Sequence, residues 1–379
     1  ISSVMEFDYY GGLLGGALFA FVLLPFLGLT YTPVLIGSFN LLVASLILWY
    51  FPDRLTRPRI LNAQFIALFL VSVMAFAVAK PIILYGEQHK YKDKIVYQEQ
   101  TRYQKIVVTQ WKDDYWLFIN GSTQFSTYDE ERYHEPLVHP LMGLIKERKD
   151  ILLLGGGDGL AAREILKYPD LENLTLVDLD PAMTRLARQD TIFLSINQGS
   201  LNDPRARVVN KDAYQFIKNS GDLYDAVIID LPDPKSVSLS LLYSLGFYKM
   251  VEKHLKPFGA MVTQSTSPLY SPEAFLCIKK TMEAAGFSTI PYQNSVPSMG
   301  QWGWVLGVRQ KTMPAQRLKQ ELLMLGFADI ETRFLNRDAM ISMAHFGKGL
   351  FEKEAPIEPN SQFDHNILKY YRQGNWDVY

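Results

Sequence analysis

Three uncharged apolar stretches follow one another at the front of the chain, and they limit its architecture more than any other feature. Tyr9–Leu29, Val34–Phe51 and Ile60–Ala79 contain no charged side chain. At a rise of about 1.5 Å per residue, helices of this length span about 30 Å of hydrocarbon. The competing reading, a set of buried core helices in a soluble protein, fits three consecutive spans poorly. Gly11, Gly12, Gly15 and Gly16 fall on neighbouring turns of the first span, where small residues let helices approach closely in lipid. Pro25 is expected to kink that span. Tyr9, Tyr10, Tyr31, Trp49 and Tyr50 lie near span ends, at interfacial depth.

The chain of 379 residues is long enough for two or three domains. It opens on Ile1 in an apolar context, without the charged lead and short hydrophobic core of a signal peptide. It reads as a piece whose earlier part is missing. A formal net charge of −1 gives no broad basic field, which excludes nucleic acid as an expected partner. The single cysteine, Cys277, permits no intrachain disulfide and falls in an expected helix over Pro272–Ala285, where it reads as a small buried hydrophobe.

Behind the spans the pattern changes twice. Ile95–Glu99, Lys105–Thr109 and Tyr115–Ile119 are rich in β-branched and aromatic residues, with turn residues at Lys112–Asp114 and Asn120–Gly121, and read as a small antiparallel sheet. From Asp150, short apolar runs alternate with helical segments and stop on polar residues. Ile151–Leu154 runs into Gly155-Gly156-Gly157-Asp158-Gly159, Leu174–Val177 into Asp178, and Arg207–Val209 is followed by Asp212. Ala226–Ile229 ends on Asp230, and Gly259–Thr263 ends on Gln264. Strand–helix alternation predicts an α/β fold, a Rossmann-like doubly wound parallel sheet, with ligands at the carboxyl ends of the strands. The expected division is 1–84 transmembrane helices, 85–148 small antiparallel β domain, 149–310 Rossmann-like domain and 311–379 C-terminal extension. In the last, an amphipathic helix is expected over Met313–Gly326. Residues from Gly347 onward read as polar loop without chemistry.

The strand ends carry the chemistry. A glycine loop between strand and helix lets backbone approach a ligand, and the helix start offers free N–H groups. Asp178, about 20 residues on at the next strand end, suits ribose hydroxyls, and Asp212 suits an adenine amino group. Asp158 separates the ligand classes. A carboxylate inside this loop repels phosphate and also the carboxylate of S-adenosylmethionine, but attracts an ammonium. It is equally a competent helix N-cap. Asp230-Leu231-Pro232-Asp233-Pro234 puts two carboxylates in a proline-stiffened loop, suited to a cationic amine and to removing its proton, although Asp-Pro also simply ends strands. His134, in Tyr133-His134-Glu135, could donate to a ligand or take up a proton, but taken alone it reads first as a structural histidine.

In this order, these residues resemble the spermidine synthase (polyamine aminopropyltransferase) family over about residues 85–310. The resemblance rests on Arg102-Tyr103-Gln104, Asp129 with Tyr133-His134-Glu135, Gly155–Gly159 with Asp158, Val177-Asp178-Leu179-Asp180, Asp212, Asp230-x-x-Asp233-Pro234, Gln264 and Gly300-Gln301-x-Gly303. The apolar front is similar to the membrane-fused bacterial branch. The resemblance implies transfer of the aminopropyl group of decarboxylated S-adenosylmethionine to a polyamine such as putrescine. The donor is a co-substrate, and no prosthetic group or metal is needed. It implies Gln104, Asp158, Asp178, Asp212 and Ala213 at the donor, with Tyr133, His134, Asp158, Asp230, Asp233 and Gln264 at the polyamine. Asp230 would be the proton acceptor.

Asp178 stands where soluble members usually have Glu, and Ala213 where Gly is frequent. Leu231-Pro232 is more apolar than usual, and Val296–Gly300 is shorter and lacks the family's amine-site tyrosine. The implied partners are a polyamine, the lipid bilayer and, as a further option, a second copy of the chain. The implied location is the cell membrane, multi-pass. Arg54, Arg57 and Arg59 oppose Lys80, Lys90, Lys92 and Lys94 in setting orientation, so a cytosolic donor is what puts the catalytic part on the cytoplasmic side. Two other readings stay open: a methyltransferase using intact S-adenosylmethionine, and a non-catalytic polyamine or nucleoside sensor at the membrane.

Overall fold

The computed structural model describes residues 2–51, 57–354 and 356–376; Arg54 lies outside them. The chain divides into two compact units, Ile1–Ile95 and Val96–Tyr379.

In the first unit, helices run over Ser2–Leu18, Leu24–Tyr50 and Pro58–Gln88, with a π-helical turn at Phe19–Leu23. Three stretches, Met5–Gly28, Tyr31–Tyr50 and Arg59–Val78, are long and apolar enough to cross a membrane, with mean hydropathy 2.0, 1.8 and 2.1. The kink falls at Gly28 (φ 64°), not at Pro25. Pro25 lies just after the π-helical turn Phe19–Leu23, with helical backbone on both sides. Only glycine takes the Gly28 conformation without strain. The Thr32 hydroxyl donates to the Gly28 carbonyl at 2.6 Å across the break.

The second unit contains two sheets. Strands β1 (Lys94–Gln100), β2 (Lys105–Trp111), β3 (Asp114–Ile119) and β4 (Ser122–Ser126) form a four-stranded sheet in sequential order. The larger sheet comprises β5 (Asp150–Gly155), β6 (Asn173–Asp178), β7 (Ala206–Asn210), β8 (Tyr224–Asp230), β9 (Leu255–Gln264), β10 (Phe287–Val296) and β11 (Gly300–Arg309). Its order is β10-β11-β9-β8-β5-β6-β7. β5 to β9 are parallel, and the β10–β11 hairpin adds an antiparallel edge. Chain direction across the sheet reverses between β5 and β8, the switch point at which such sheets open a ligand crevice.

The central strands are buried on both faces, which is why they read as unbroken apolar runs. Ile151 and Leu153 of β5 pack on one side with Leu137, Leu141, Leu160 and Trp304. Leu152 and Leu154 pack on the other with Val227, Phe247 and Phe275. The helix Glu131–Leu144 is buried from Tyr133 to Met142 despite Pro136 and Pro140. Pro140 cannot donate to the Pro136 carbonyl, and the Tyr292 hydroxyl does so instead at 2.8 Å. The C-terminal extension is not a loose loop. The helix Asn366–Arg372 buries Ile367, Leu368 and Tyr371 and packs on the helix Pro272–Ala284.

Candidate active site

Register gathers the polar strand ends at one edge. Gly155 of β5 pairs with Asp230 of β8, and Leu154 pairs with Val177, which puts Asp178 at the same height. Asp178 pairs with Asn210. Gln264 follows Thr263, the partner of Ile229.

The glycine loop threads between two of these carboxylates. Gly155 (φ 85°) and Gly156 (φ 67°) adopt left-handed backbone. A Cβ on Gly155 would stand 1.9 Å from the Asp230 carbonyl oxygen, and one on Gly157 would stand 2.5 Å from Asp178 Oδ2. These positions therefore exclude any side chain. The Gly157 N–H donates to Asp178 Oδ2 at 3.1 Å and the Asp180 N–H to Oδ1 at 2.9 Å. Burial, with Asp158 and Asp180 as like charges, still lifts the Asp178 carboxyl to about 6.

Asp158 precedes the N-cap, which is Gly159, and accepts from Leu160 N–H at 2.8 Å through one oxygen, so it closes a local turn at the helix start and is not the N-cap itself. It lies close enough to raise both Asp178 and Asp230. The loop carrying Gln104 is tied to the same edge, since the Thr101 hydroxyl lies 2.8 Å from Asp180 Oδ2 and 3.0 Å from the Gln104 carbonyl. Asp212 Oδ1 accepts from Gln215 N–H at 2.8 Å at the start of the helix Ala213–Asn219, beside buried Ala213.

On the other side of Asp230, the Tyr133 hydroxyl donates to Oδ1 at 2.7 Å. Burial and Asp158 push the Asp230 carboxyl up to about 6, while His134 and Tyr133 act against that rise. His134 is buried at 2% exposure. Burial disfavours its charged form, but Glu130, whose Oε2 lies 3.0 Å from Nδ1, outweighs that and raises the imidazole above its usual range. Glu130 is itself held down to about 2. Burial works against ionisation there, and His134 and Arg163 overcome it. Arg163 donates to both Glu130 oxygens at 2.8 and 2.9 Å and to Glu164 at 2.8 Å. Beneath His134 there is thus a buried ionic network rather than a lone structural histidine.

Asp233 is fixed from two directions. The Tyr371 hydroxyl donates to Oδ2 at 2.9 Å, and Gln264 Nε2 lies 3.4 Å from Oδ1. Burial raises the Asp233 carboxyl, against Lys235 and these hydrogen bonds. The Gln264 amide is engaged by protein on both ends. Nε2 donates to the Leu231 carbonyl and to the Tyr243 hydroxyl at 2.6 Å, and Oε1 accepts from Thr266 N–H at 2.9 Å and Trp302 Nε1 at 3.3 Å. Thr266 takes φ 57°, a strained value for a β-branched residue, directly behind Asp233.

All the residues expected at the site lie in this one unit, and Asp178 and Asp230 flank the glycine loop that carries Asp158; Asp212 and Asp233 make their contacts elsewhere, with Gln215 and Tyr371. Sequence reasoning missed Glu130, Arg163, Tyr243 and Tyr371. The extension read as devoid of chemistry supplies the last of these, because the fold carries the helix Asn366–Arg372 back to the β8 end. Glu135, another motif residue, accepts from the N–H groups of Arg333, Phe334 and Leu335 at 2.6, 3.0 and 2.7 Å, and so anchors the same extension.

A doubly wound sheet with a glycine loop and acids at successive strand ends defines an α/β domain of the nucleoside-binding class. The spermine/spermidine synthase domain matches residues 130–320. The chain belongs to that family. It is 38% identical over 99% of its length to the polyamine aminopropyltransferase of Oceanobacillus iheyensis, covering 72% of that protein. It is also 38% identical over 98% of its length to polyamine aminopropyltransferase 2 of Ralstonia nicotianae, again covering 72%. A crystal structure of spermidine synthase in complex with the transition-state analogue AdoDATO superposes with TM-score 0.60 at 24% identity, over 69% of this chain and 88% of that one. At that identity the likeness establishes the fold. Tyr371 lies beyond the matched domain.

Proposed function

We propose that the chain is a polyamine aminopropyltransferase that moves the aminopropyl group of decarboxylated S-adenosylmethionine to a diamine such as putrescine. The observation that carries this reading is the convergence of Asp158, Asp178 and Asp230 on the Gly155–Gly157 loop. Asp178 and Gln104 would take the ribose, with Asp212 and Ala213 at the adenine. Asp158 would take the aminopropyl ammonium, and His134, Tyr133 and Asp233 the acceptor. Gln264 would serve that half by holding Leu231–Asp233 in place.

In the reaction, the acceptor nitrogen attacks the propyl carbon next to the sulfonium. A C–N bond forms and the C–S bond breaks, its electron pair returns to sulfur, and methylthioadenosine leaves neutral. The nitrogen sheds one proton to Asp230. An alkylammonium has a pKa of about 10 and no lone pair, so it gives that proton to Asp230 before the nitrogen attacks; the transfer runs uphill against a carboxylate and is drawn forward by the C–S cleavage that follows. Lifting Asp230 from 3.8 to about 6 narrows the mismatch by roughly 3 kcal/mol. With a sulfonium as leaving group, positioning and proton removal are what remains for the protein to supply.

The first unit we read as a multi-pass membrane anchor. The catalytic unit would lie on the cytoplasmic side, where the donor is made, with homo-oligomers a further option. We retain the fourfold division 1–84, 85–148, 149–310 and 311–379 as the working domain scheme. Asp158 disfavours intact S-adenosylmethionine, and the base-like Asp230 disfavours a binding-only sensor. The test is to supply putrescine and decarboxylated donor to the purified chain and measure methylthioadenosine. If none is released with putrescine or any other polyamine, the proposal fails.

A further inference from the structure

Two side chains of the C-terminal extension reach carboxylates of the candidate site: Arg333 pairs with Glu130, and Tyr371 donates to Asp233. Tyr371 is 7% exposed, and Asp233, which accepts its hydrogen bond, is 9% exposed. Its ring is locked rather than hung on a loose arm. Trp376 packs against it with ring centroids 4.6 Å apart and donates through Nε1 to the Tyr371 carbonyl at 2.8 Å. Asn375 N–H donates to the Tyr270 carbonyl at 2.7 Å, and Tyr270 covers Gly300, where a Cβ would stand 2.7 Å from its ring. Further back, Asn360 donates to the Ser240 carbonyl at 2.8 Å and Ile367 is fully buried. Asp230 thus lies against the glycine loop, while Asp233 is tied through Tyr371 to Trp376 and the packed extension.

Resting on the aminopropyltransferase reading, we infer that Tyr371 is a specificity-determining residue that closes the far end of the acceptor half-site, so that the site fits a short diamine and rejects a longer triamine. A diamine with one nitrogen at Asp230 and the other at Asp233 stops against the phenol. A chain continuing past Asp233 would have to displace a ring fixed by Trp376 and the packed extension. The hydroxyl adds a second effect: it orients the Asp233 carboxylate and favours its charged form, which strengthens the hold on the second ammonium.

The experiment uses the full chain with putrescine and spermidine as alternative acceptors and methylthioadenosine affinity as the control. Tyr371→Phe keeps the wall and loses the hydroxyl. It is expected to raise KM for putrescine roughly tenfold, the effect of one hydrogen bond to a charged group, with kcat within about twofold and the preference over spermidine intact. Tyr371→Ala removes the wall and is expected to raise the spermidine-to-putrescine ratio of kcat/KM at least about tenfold, with methylthioadenosine affinity unchanged. Should that variant lose the nucleoside, Tyr371→Leu, which keeps apolar contact with Trp376, reads the same ratio. An unchanged ratio in an active protein overturns the end-wall role alone. A wild-type chain inactive with every amine overturns the reading of the site itself, and this inference with it.

Discussion

The Tyr133 phenol donates to Asp230 Oδ1 over 2.7 Å, which leaves Oδ2 as the oxygen beside the glycine loop. A Cβ on Gly156 would stand 3.5 Å from that second oxygen. The carboxylate is thus pinned by one atom and presents the other, as a base must if it is to meet an amine in one geometry.

This bond has a pH signature. Burial and Asp158 raise Asp230 to about 6, and the Tyr133 hydrogen bond and His134 oppose them. The log of kcat/KM against pH is expected to fall on the acid side with a limb near pH 6. In Tyr133→Phe the opposing hydrogen bond is gone, so the limb moves to higher pH while methylthioadenosine affinity stays constant. A limb that does not move would detach Tyr133 from the base.

Asp230→Asn separates chemistry from binding. Loss of the proton acceptor is expected to lower kcat by about 10²–10⁴ and to leave nucleoside affinity within a few-fold. It is also expected to stabilise the fold at neutral pH. The folded pKa of Asp230 exceeds its unfolded value, so the folded protein bears a penalty that is fully present above pH 6 and fades as pH falls from 6 towards 4. Thermal unfolding should show the Asn variant ahead at pH 8, by of the order of 1–3 kcal/mol, and the gain vanishing near pH 4.

The network below His134 runs the other way. The folded pKa of Glu130 is depressed to about 2, so its contribution is present above the unfolded value of 4.5 and disappears as pH falls through that window. Glu130→Gln leaves Arg163 with Glu164 as its remaining ionic partner and weakens the support of His134. A loss of about 3 kcal/mol at pH 7, shrinking below pH 4, is expected from urea unfolding. Equal stability of the two proteins at pH 7 would show that the network is dispensable.

The strand ends were legible because each combines an apolar run with a polar stop, and parallel register then aligns those stops without further information. Asp158, Asp178 and Asp230 fall into this class. Tyr371 did not. It meets Asp233 across 138 residues, in a seven-residue helix too short to show a convincing period. The helix Glu131–Leu144 was hidden by Pro136 and Pro140, whose local preference is overridden by burial and by the Tyr292 hydroxyl. Arg163 and Glu164 sit in a short helix behind the glycine loop. Nothing in their spacing signals that Glu130 and His139 will meet them from the preceding helix.

Titration calorimetry of the wild-type chain with decarboxylated S-adenosylmethionine and with S-adenosylmethionine bears most directly on the charge logic of the cleft. One extra carboxylate beside Asp158 in a partly dry site should cost at least about a hundredfold in affinity, so the decarboxylated ligand is expected to bind that much tighter. Equal binding, or tighter binding of S-adenosylmethionine, would contradict the account.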